Sequence, residues 1–152
     1  MTRPIPNRDV TEGRVNYRID LAATAGDVWA VIGPFDSLPR WHPLVAVCTL
    51  EHEQGSGSIL RRIRLHDGTI IVNRLTGHSD ADRFYGYELV EGPLPVAFYR
   101  STLRVLDRAG GQCTLDWASV FDAGEASAEE VARRVKSLIG PGVESLKRKF
   151  GA

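Results

Sequence analysis

The spacing of apolar residues predicts a strand near the start of the chain. Between residues 14 and 21, apolar side chains occupy every second position, and polar or charged side chains fill the positions between them. A period of two is typical of a β-strand with one buried face. Turn-forming residues then recur at regular intervals, at 55–57, 67–68, 79–82, 92–93 and 107–111. This punctuation predicts six further strands, joined by hairpins into an antiparallel meander.

Two short helical segments are predicted after the first strand. Thr24 and Asp27 resemble a capping box in which Asp replaces Glu, and apolar residues within 28–32 supply one face of a helix. A Gly-Pro pair ends this helix. A second helical turn is expected from Asp36, before two further prolines interrupt regular structure.

A long C-terminal helix is predicted over residues 127–149. Ser127 begins a capping box, acidic residues follow in the first turn, and three basic residues occupy the last turn, which suits the helix dipole. Apolar residues recur on one face of this segment. Pro141 lies between two glycines and predicts a kink, because proline removes a backbone hydrogen bond and clashes with the preceding turn.

Composition and charge narrow the classes of function. The chain has 152 residues, of which 43% are hydrophobic and 25% charged, as expected for a globular domain with a sizeable core. Nineteen basic and nineteen acidic residues cancel, and no long run of one sign offers a phosphate-binding stripe, so nucleic acid is not an expected partner. Neither a membrane span nor a signal peptide is recognised, and a cytoplasmic location is expected by default. The histidines and cysteines lack metal-ligand spacing, so no metal site is expected.

The predicted elements form an α+β domain with an internal cavity. Residues 1–11 are interpreted as a flexible lead-in and residues 12–152 as one domain. A seven-stranded curved antiparallel sheet would wrap around the long helix, and one helix cannot fill the concave face, so a cavity is implied. Alternation turns Arg62 and Arg64 outward and places a small set of polar side chains on the inner face. This set comprises Arg61, Asn73, Tyr85, Tyr87, Tyr99 and Ser101.

The chain carries several short motifs in a fixed order: VW at 28–29, Phe35, Leu38, Trp41 and Pro43, GSILR at 57–61, DG at 67–68, NRL at 73–75, LPVAFYRSTLRV at 94–105, and CTLDW at 113–117 with Phe121. Taken together, these motifs resemble the START-like, or SRPBCC, superfamily and its bacterial polyketide cyclase/dehydrase-like group. The resemblance covers roughly residues 12–150. The chain departs from the family at Asn73, where many members carry Glu, which puts in doubt any chemistry that depends on a carboxylate there.

The resemblance implies a helix-grip fold, a START-like ligand-binding domain and a hydrophobic small molecule as its ligand. One function that it implies is a cyclase, aromatase or dehydratase that acts on a polyketide-like ketone and needs no cofactor. The other is a non-catalytic carrier or sensor of a lipid-like or aromatic metabolite. Both functions require the same apolar cavity lining, and the sequence does not distinguish between them. A homodimer is also left open.

Residues 35–45, FDSLPRWHPLV, would close one end of the cavity in such a fold. Trp41 is expected to cover the cavity and His42 to stand at its entrance, where an imidazole suits a general base. The alternative is that His42 only hydrogen-bonds the neighbouring loop or faces solvent. Candidate catalytic residues are therefore His42, Arg61 and Tyr99. Candidate ligand-binding residues are Trp41, Asn73, Tyr85, Tyr87, Ser101, Trp117 and Leu138.

Overall fold

A computed structural model describes residues 12–152, and the predicted lead-in at 1–11 lies outside the described residues. Seven strands and two α-helices follow one another in the predicted order, with a 3₁₀ turn at Leu38–Arg40. The helices are α1 (Ala25–Ile32) and α2 (Ala128–Phe150). The strands are β1 (Glu12–Leu21), β2 (Val45–His52), β3 (Ile59–Leu65), β4 (Ile70–Ser79), β5 (Phe84–Glu91), β6 (Phe98–Arg108) and β7 (Gln112–Asp122).

The strands form one antiparallel sheet in the order β1-β7-β6-β5-β4-β3-β2. Strands β2 to β7 are a meander, and β1 closes the other edge by pairing with β7 along its whole length. The pairing of β5 with β6 ends at Glu88 and Arg100, so the last three residues of β5 have no partner on β6. The sheet is therefore open between these two strands, next to the loop at 92–97.

Both helices begin at the predicted caps. The Thr24 hydroxyl accepts the backbone N–H of Asp27, and the Ser127 hydroxyl accepts that of Glu130. Helix α2 lies on the concave face of the sheet and buries one apolar side. It is not interrupted at Pro141. The carbonyl that loses its helical donor there belongs to the exposed residue Ser137, where water can replace it.

The strand register is as predicted, and it decides which charged side chains face the core. On β3, Arg61 is 2% exposed, whereas its neighbours Arg62 and Arg64 lie on the solvent side. Asn73 lies directly opposite Arg61 on β4. The concave face therefore holds one guanidinium among apolar and aromatic residues, and this charge defines the candidate site.

Candidate functional site

Arg61 is held in place by neutral partners. Its Nε donates to Oδ1 of Asn73 over 2.9 Å. Its Nη1 donates to the Phe35 carbonyl oxygen over 3.1 Å and to the Tyr85 hydroxyl over 3.2 Å. The ring faces of Phe35 and Tyr87 lie 4.2 and 4.6 Å from the guanidinium carbon. Hydrogen bonds and cation–π contacts thus fix the side chain in one orientation.

The charge of Arg61 has no counter-ion among residues 12–152. No carboxylate of this part of the chain forms an ion pair with it, and its Nη2 has no hydrogen-bond partner there. A guanidinium cannot lose its proton when it is buried, and a buried charge without a partner is costly. Two N–H groups of Nη2 therefore remain available to an oxygen atom of a ligand.

A cavity of about 80 Å³ lies beside Arg61 between the sheet and α2. Its walls are mostly Leu, Ile and Val side chains, as in other small-molecule sites. Seven of the ten predicted site residues line this cavity. They are His42, Arg61, Asn73, Tyr87, Tyr99, Trp117 and Leu138.

Trp41, Tyr85 and Ser101 are the predicted site residues that the structure does not place among the cavity-lining residues. Trp41 is 3% exposed and belongs to the hydrophobic core, where its Nε1 donates to the Ser37 hydroxyl over 3.1 Å. The 3₁₀ turn before it aims the indole inward, against the edge of Trp117. Trp41 supports a cavity wall from behind and does not cover an entrance.

Tyr85 and Ser101 act behind the cavity wall. The Tyr85 hydroxyl accepts a hydrogen bond from Arg61 and so helps to orient the guanidinium. Ser101 donates to the Ala118 carbonyl oxygen over 3.1 Å and accepts from Nε1 of Trp117 over 3.1 Å. Both side chains hold residues that do reach the cavity.

His42 is buried, and both of its ring nitrogens have partners. Nε2 donates to the Leu138 carbonyl oxygen over 2.8 Å, and Nδ1 accepts the Leu44 N–H over 3.3 Å. These contacts select the neutral tautomer with its proton on Nε2. Burial, helped by the charge of Arg61, holds the pKa of His42 below its ordinary value. The imidazole is therefore neutral at neutral pH, and its basic atom is Nδ1, which holds only a long hydrogen bond.

Gly142 on α2 makes the position of His42 possible. A Cβ atom at residue 142 would lie 2.7 Å from Cδ2 of His42, closer than real Cβ contacts allow. The imidazole thus packs on bare helix backbone and bonds the carbonyl one turn earlier. The Gly-Pro-Gly triplet at 140–142 predicts a kink in α2. In the structure the helix continues through Pro141, and Gly142 leaves the space that His42 occupies.

The tyrosine hydroxyls of the site take part in fixed hydrogen bonds. The Tyr99 hydroxyl is hydrogen-bonded to the Ser119 hydroxyl over 2.8 Å. Burial is the main cause that raises the pKa of Tyr99, and it also raises the pKa of Tyr85. Tyr87 accepts Nε1 of Trp117 over 3.3 Å. Burial therefore favours the protonated phenol at Tyr85 and Tyr99.

A second depression, which we call the outer cleft, lies against the same walls. It has a volume of about 380 Å³, and it shares Leu65, Pro93, Leu94 and Leu138 with the cavity. Its other lining residues are Asp67, Thr69, Arg133, Arg134 and Ser137. Sequence reasoning missed this region, although the exposed prolines Pro93 and Pro95 are a signal of an irregular, solvent-facing segment.

Residues 12–152 contain no group of three or more His, Cys, Asp or Glu side chains that could hold a metal ion. Within the same residues, no helix is long and apolar enough to cross a membrane.

Comparison with known proteins places this arrangement in a family. The family described as "Polyketide cyclase / dehydrase and lipid transport" matches residues 12–151. The chain belongs to this family. No curated protein matches the chain by sequence.

Solved structures share the helix-grip fold of the START superfamily. XoxI from Bacillus cereus is 27% identical with a TM-score of 0.82, over 91% of this chain and 95% of that one. The ZhuI aromatase/cyclase from Streptomyces sp. R1128 is 16% identical with a TM-score of 0.67, over 88% of each chain. A START superfamily protein from Mycobacterium smegmatis is 12% identical with a TM-score of 0.72, over 90% of this chain and 96% of that one.

Proposed function

We propose that this chain binds a hydrophobic, polyketide-like ketone and promotes its cyclisation or dehydration without a cofactor. The observation that carries the proposal is the buried guanidinium of Arg61, whose Nη2 has no partner within residues 12–152 and which lines an apolar cavity. A carbonyl or enolate oxygen would supply the missing acceptor. The family of cyclases and dehydrases, and the aromatase/cyclase from Streptomyces among the similar folds, support this reaction class.

The proposed chemistry starts with removal of a proton from the carbon next to a ketone. Nδ1 of His42 takes this proton after its hydrogen bond from the Leu44 N–H breaks. The hydrogen bond from Nε2 to the Leu138 carbonyl oxygen keeps the ring in place meanwhile. The electron pair moves to the ketone oxygen, and the positive charge of Arg61 stabilises the resulting enolate. The enolate carbon then forms a bond to a second carbonyl carbon of the same chain, whose oxygen takes up a proton. Loss of that hydroxyl with a neighbouring hydrogen releases water.

Tyr99 has a smaller part in this proposal than the sequence predicts. Its raised pKa makes it a poor general acid, because its proton is released far less readily than that of a free phenol. Its hydroxyl is also already bonded to Ser119. We therefore assign Tyr99 to donation of a hydrogen bond and to the shape of the wall.

The size of the cavity limits what it holds in this conformation. Ligand sites for drug-sized molecules usually span roughly 300–1,000 Å³, and the cavity measures about 80 Å³. It accommodates the reacting end of a ligand, whereas a whole polyketide chain requires the adjoining walls to move or a second compartment outside.

The alternative function is a carrier or sensor, and one observation favours it. Both nitrogens of His42 are occupied, so no free base faces the cavity before the Leu44 contact breaks. A binding protein needs only the oily wall and the single donor Arg61. The two functions therefore differ in proton transfer and not in ligand binding.

Enolisation of a simple ketone separates the two functions. Acetophenone in D₂O serves as the probe, with binding followed by saturation-transfer NMR and exchange by loss of the methyl proton signal. An enzyme binds the ketone and accelerates exchange above the buffer rate. A carrier binds it without acceleration, and absence of binding contradicts both functions.

Matched variants identify the residues responsible. His42→Gln should lower the accelerated exchange rate by roughly 10² to 10⁴ with little change in binding, because only proton transfer is lost. Arg61→Gln should lower the rate by roughly 10² to 10³ through loss of enolate stabilisation. Arg64→Gln is the control, since this arginine lies on the same strand and faces solvent. An exchange rate that His42→Gln leaves unchanged would remove His42 from the chemistry.

A further inference from the structure

The Asn73 side chain lies against the buried guanidinium, and the hydrogen bond between the two fixes how the amide is turned. Asn73 is 3% exposed, and its Oδ1 accepts the Nε–H of Arg61 over 2.9 Å. Because Nε is only a donor, the amide atom that faces it must be the oxygen. The two N–H groups of the amide nitrogen Nδ2 are therefore left for another acceptor.

These N–H groups find no acceptor in the described protein. Within residues 12–152, neither Nδ2 of Asn73 nor Nη2 of Arg61 has a hydrogen-bond partner. Neither nitrogen is enclosed by protein atoms, since in this part of the chain only Oδ1 of Asp116 is both enclosed and unpartnered. Asn73 and Arg61 are almost wholly buried and line the cavity. The two unpartnered nitrogens therefore face the cavity.

The amide of Asn73 leaves the guanidinium with an unusual neighbour. Nε and Nη2 form one edge of the planar group, and a carboxylate beside this edge would accept from both nitrogens. Asn73 instead supplies one acceptor, which Nε uses, and two further donors. The Arg61–Asn73 edge, as we call this pair, thus presents only donors to the cavity.

No negative charge of the described residues balances this edge. No Asp or Glu side chain of residues 12–152 lines the cavity. The thiol of Cys48 and the phenol of Tyr85 lie near Arg61, but burial raises the pKa of both groups and favours their neutral forms. A buried charge without a partner is costly, so an occupant that brings a negative charge gains more at this edge than a neutral one.

We infer that Asn73 determines the specificity of the site by leaving the charge of Arg61 uncompensated, so that the cavity selects an apolar ligand whose oxygen end is anionic. The matching groups spread one negative charge over two oxygen atoms, as a carboxylate or the enolate of a 1,3-dicarbonyl does. Nη2 and Nδ2 donate to these oxygens. This inference rests on the proposed function for the place of the ligand oxygen at Arg61. It adds the charge of the ligand and a role for Asn73 that the proposed reaction does not use.

Ligands of matched shape and different charge measure this selectivity. Benzoate is compared with benzamide at neutral pH by saturation-transfer NMR titration. The wild type should bind benzoate about tenfold or more tightly than benzamide, as expected for charge-assisted hydrogen bonds in a buried site. The enolate is tested with pentane-2,4-dione in the same buffer, where UV difference spectroscopy should show a larger enolate fraction on binding.

Asn73→Asp tests the role of the amide with the least change of shape. It replaces the two donors by an acceptor and gives Arg61 a counter-ion, so the benzoate preference and the enolate signal should disappear. The urea midpoint of unfolding should not fall, because a buried charge gains its partner. Asn16→Asp is the matched control, since Asn16 is exposed on β1, and it should leave the benzoate preference within about twofold.

Each outcome decides a stated point. The inference is overturned when the wild type shows neither anion signal, when Asn73→Asp retains them, when Asn16→Asp loses them equally, or when Asn73→Asp unfolds more easily. A benzoate preference alone supports it with a carboxylate as ligand, and an enolate signal alone supports it with a 1,3-dicarbonyl. Anion selectivity without acetophenone exchange supports the inference and contradicts the enzymatic function. Acetophenone exchange without anion selectivity does the reverse.

Discussion

Two segments of this protein are each bracketed by prolines, and they have opposite roles. Residues 38–43, LPRWHP, contain a 3₁₀ turn that is followed by the buried residues Trp41 and His42. Residues 92–97, GPLPVA, form an irregular loop whose prolines are exposed. The first segment completes the core behind the cavity. The second lies between the outer cleft and a further cleft of about 340 Å³ lined by Ala97 and Phe98.

The difference shows what decides whether an irregular segment becomes core or rim. Proline only specifies where regular structure stops. In the first segment, the polar atoms of the large side chains have fixed partners: the Ser37 hydroxyl accepts the indole N–H of Trp41, and the Leu138 carbonyl oxygen accepts the imidazole N–H of His42. In the second segment, the sheet has already separated, because β5 and β6 are no longer paired there. Satisfied polar groups allow burial, and an unpaired sheet end leaves an opening.

Replacement of Trp41 by Ala should produce the largest effect and tests the core assignment most directly. Removal of a fully buried aromatic side chain costs roughly 3–5 kcal/mol of unfolding free energy. Urea unfolding followed by far-UV circular dichroism measures this loss. Trp41→Phe is the control and should lose less, since the ring remains. A loss below about 1 kcal/mol together with strongly weakened ligand binding would return Trp41 to the role of a lid.

The sequence predicts positions within strands well because strands have a period. The two-residue alternation on β3 distinguishes Arg61 from Arg62 and Arg64, and the structure agrees. No such period exists at residues 38–43, so the sequence cannot say which way Trp41 points. Its direction follows from the 3₁₀ turn and from its partner Ser37.

Contacts between distant parts of the chain were also beyond sequence reasoning. Gly142 lies one hundred residues after His42, and nothing local links the two. Only the close packing of α2 against His42 shows why this helix position has no side chain. The outer cleft was missed for the same reason, because its residues come from two loops and a helix.

Replacement of Gly142 by Ala should produce the second largest effect. The new methyl group collides with His42, and overpacking of this kind costs about 1–3 kcal/mol. Gly26→Ala is the matched control, because a Cβ at this position in α1 meets nothing within 4 Å and should stabilise the helix by up to about 1 kcal/mol. Thermal and urea unfolding measure both changes.

A double-mutant cycle sharpens this second test. In the background of His42→Ala the collision partner is gone, so Gly142→Ala should become neutral or slightly stabilising. An equal loss in both backgrounds would mean that the cost arises elsewhere on α2, and that Gly142 does not serve the position of His42.

The pH dependence of stability should report the buried imidazole. The pKa of His42 is lowered in the folded state. Below about pH 6.5, His42 is therefore protonated in the unfolded chain while it is still neutral in the folded protein. Stability should therefore fall as pH decreases from about 6.5 towards the folded-state pKa, by at most about 1.4 kcal/mol per pH unit for one group. Above that window, His42 contributes no pH dependence.

The difference between wild type and His42→Gln isolates this effect from the carboxylates that titrate at lower pH. Urea unfolding between pH 5 and 8 should give a wild-type curve that falls below pH 6.5 and a flatter curve for the variant. Parallel curves would show that His42 is protonated as readily in the folded protein as in the unfolded chain.

Replacement of Leu94 by Ala should have the smallest effect on stability and the clearest effect on ligand exchange. Leu94 is only partly buried at the rim, so its loss should cost about 1 kcal/mol or less. The same change widens the boundary between the cavity and the cleft, so acetophenone should associate and dissociate faster with little change in affinity. Stopped-flow quenching of Trp117, which lines the cavity, follows these rates.

Leu50→Ala is the control, since Leu50 is exposed on the edge strand β2 and does not line the cavity. Unchanged rates in Leu94→Ala would mean that the ligand enters elsewhere, and that the loop at 92–97 is a wall and not a rim.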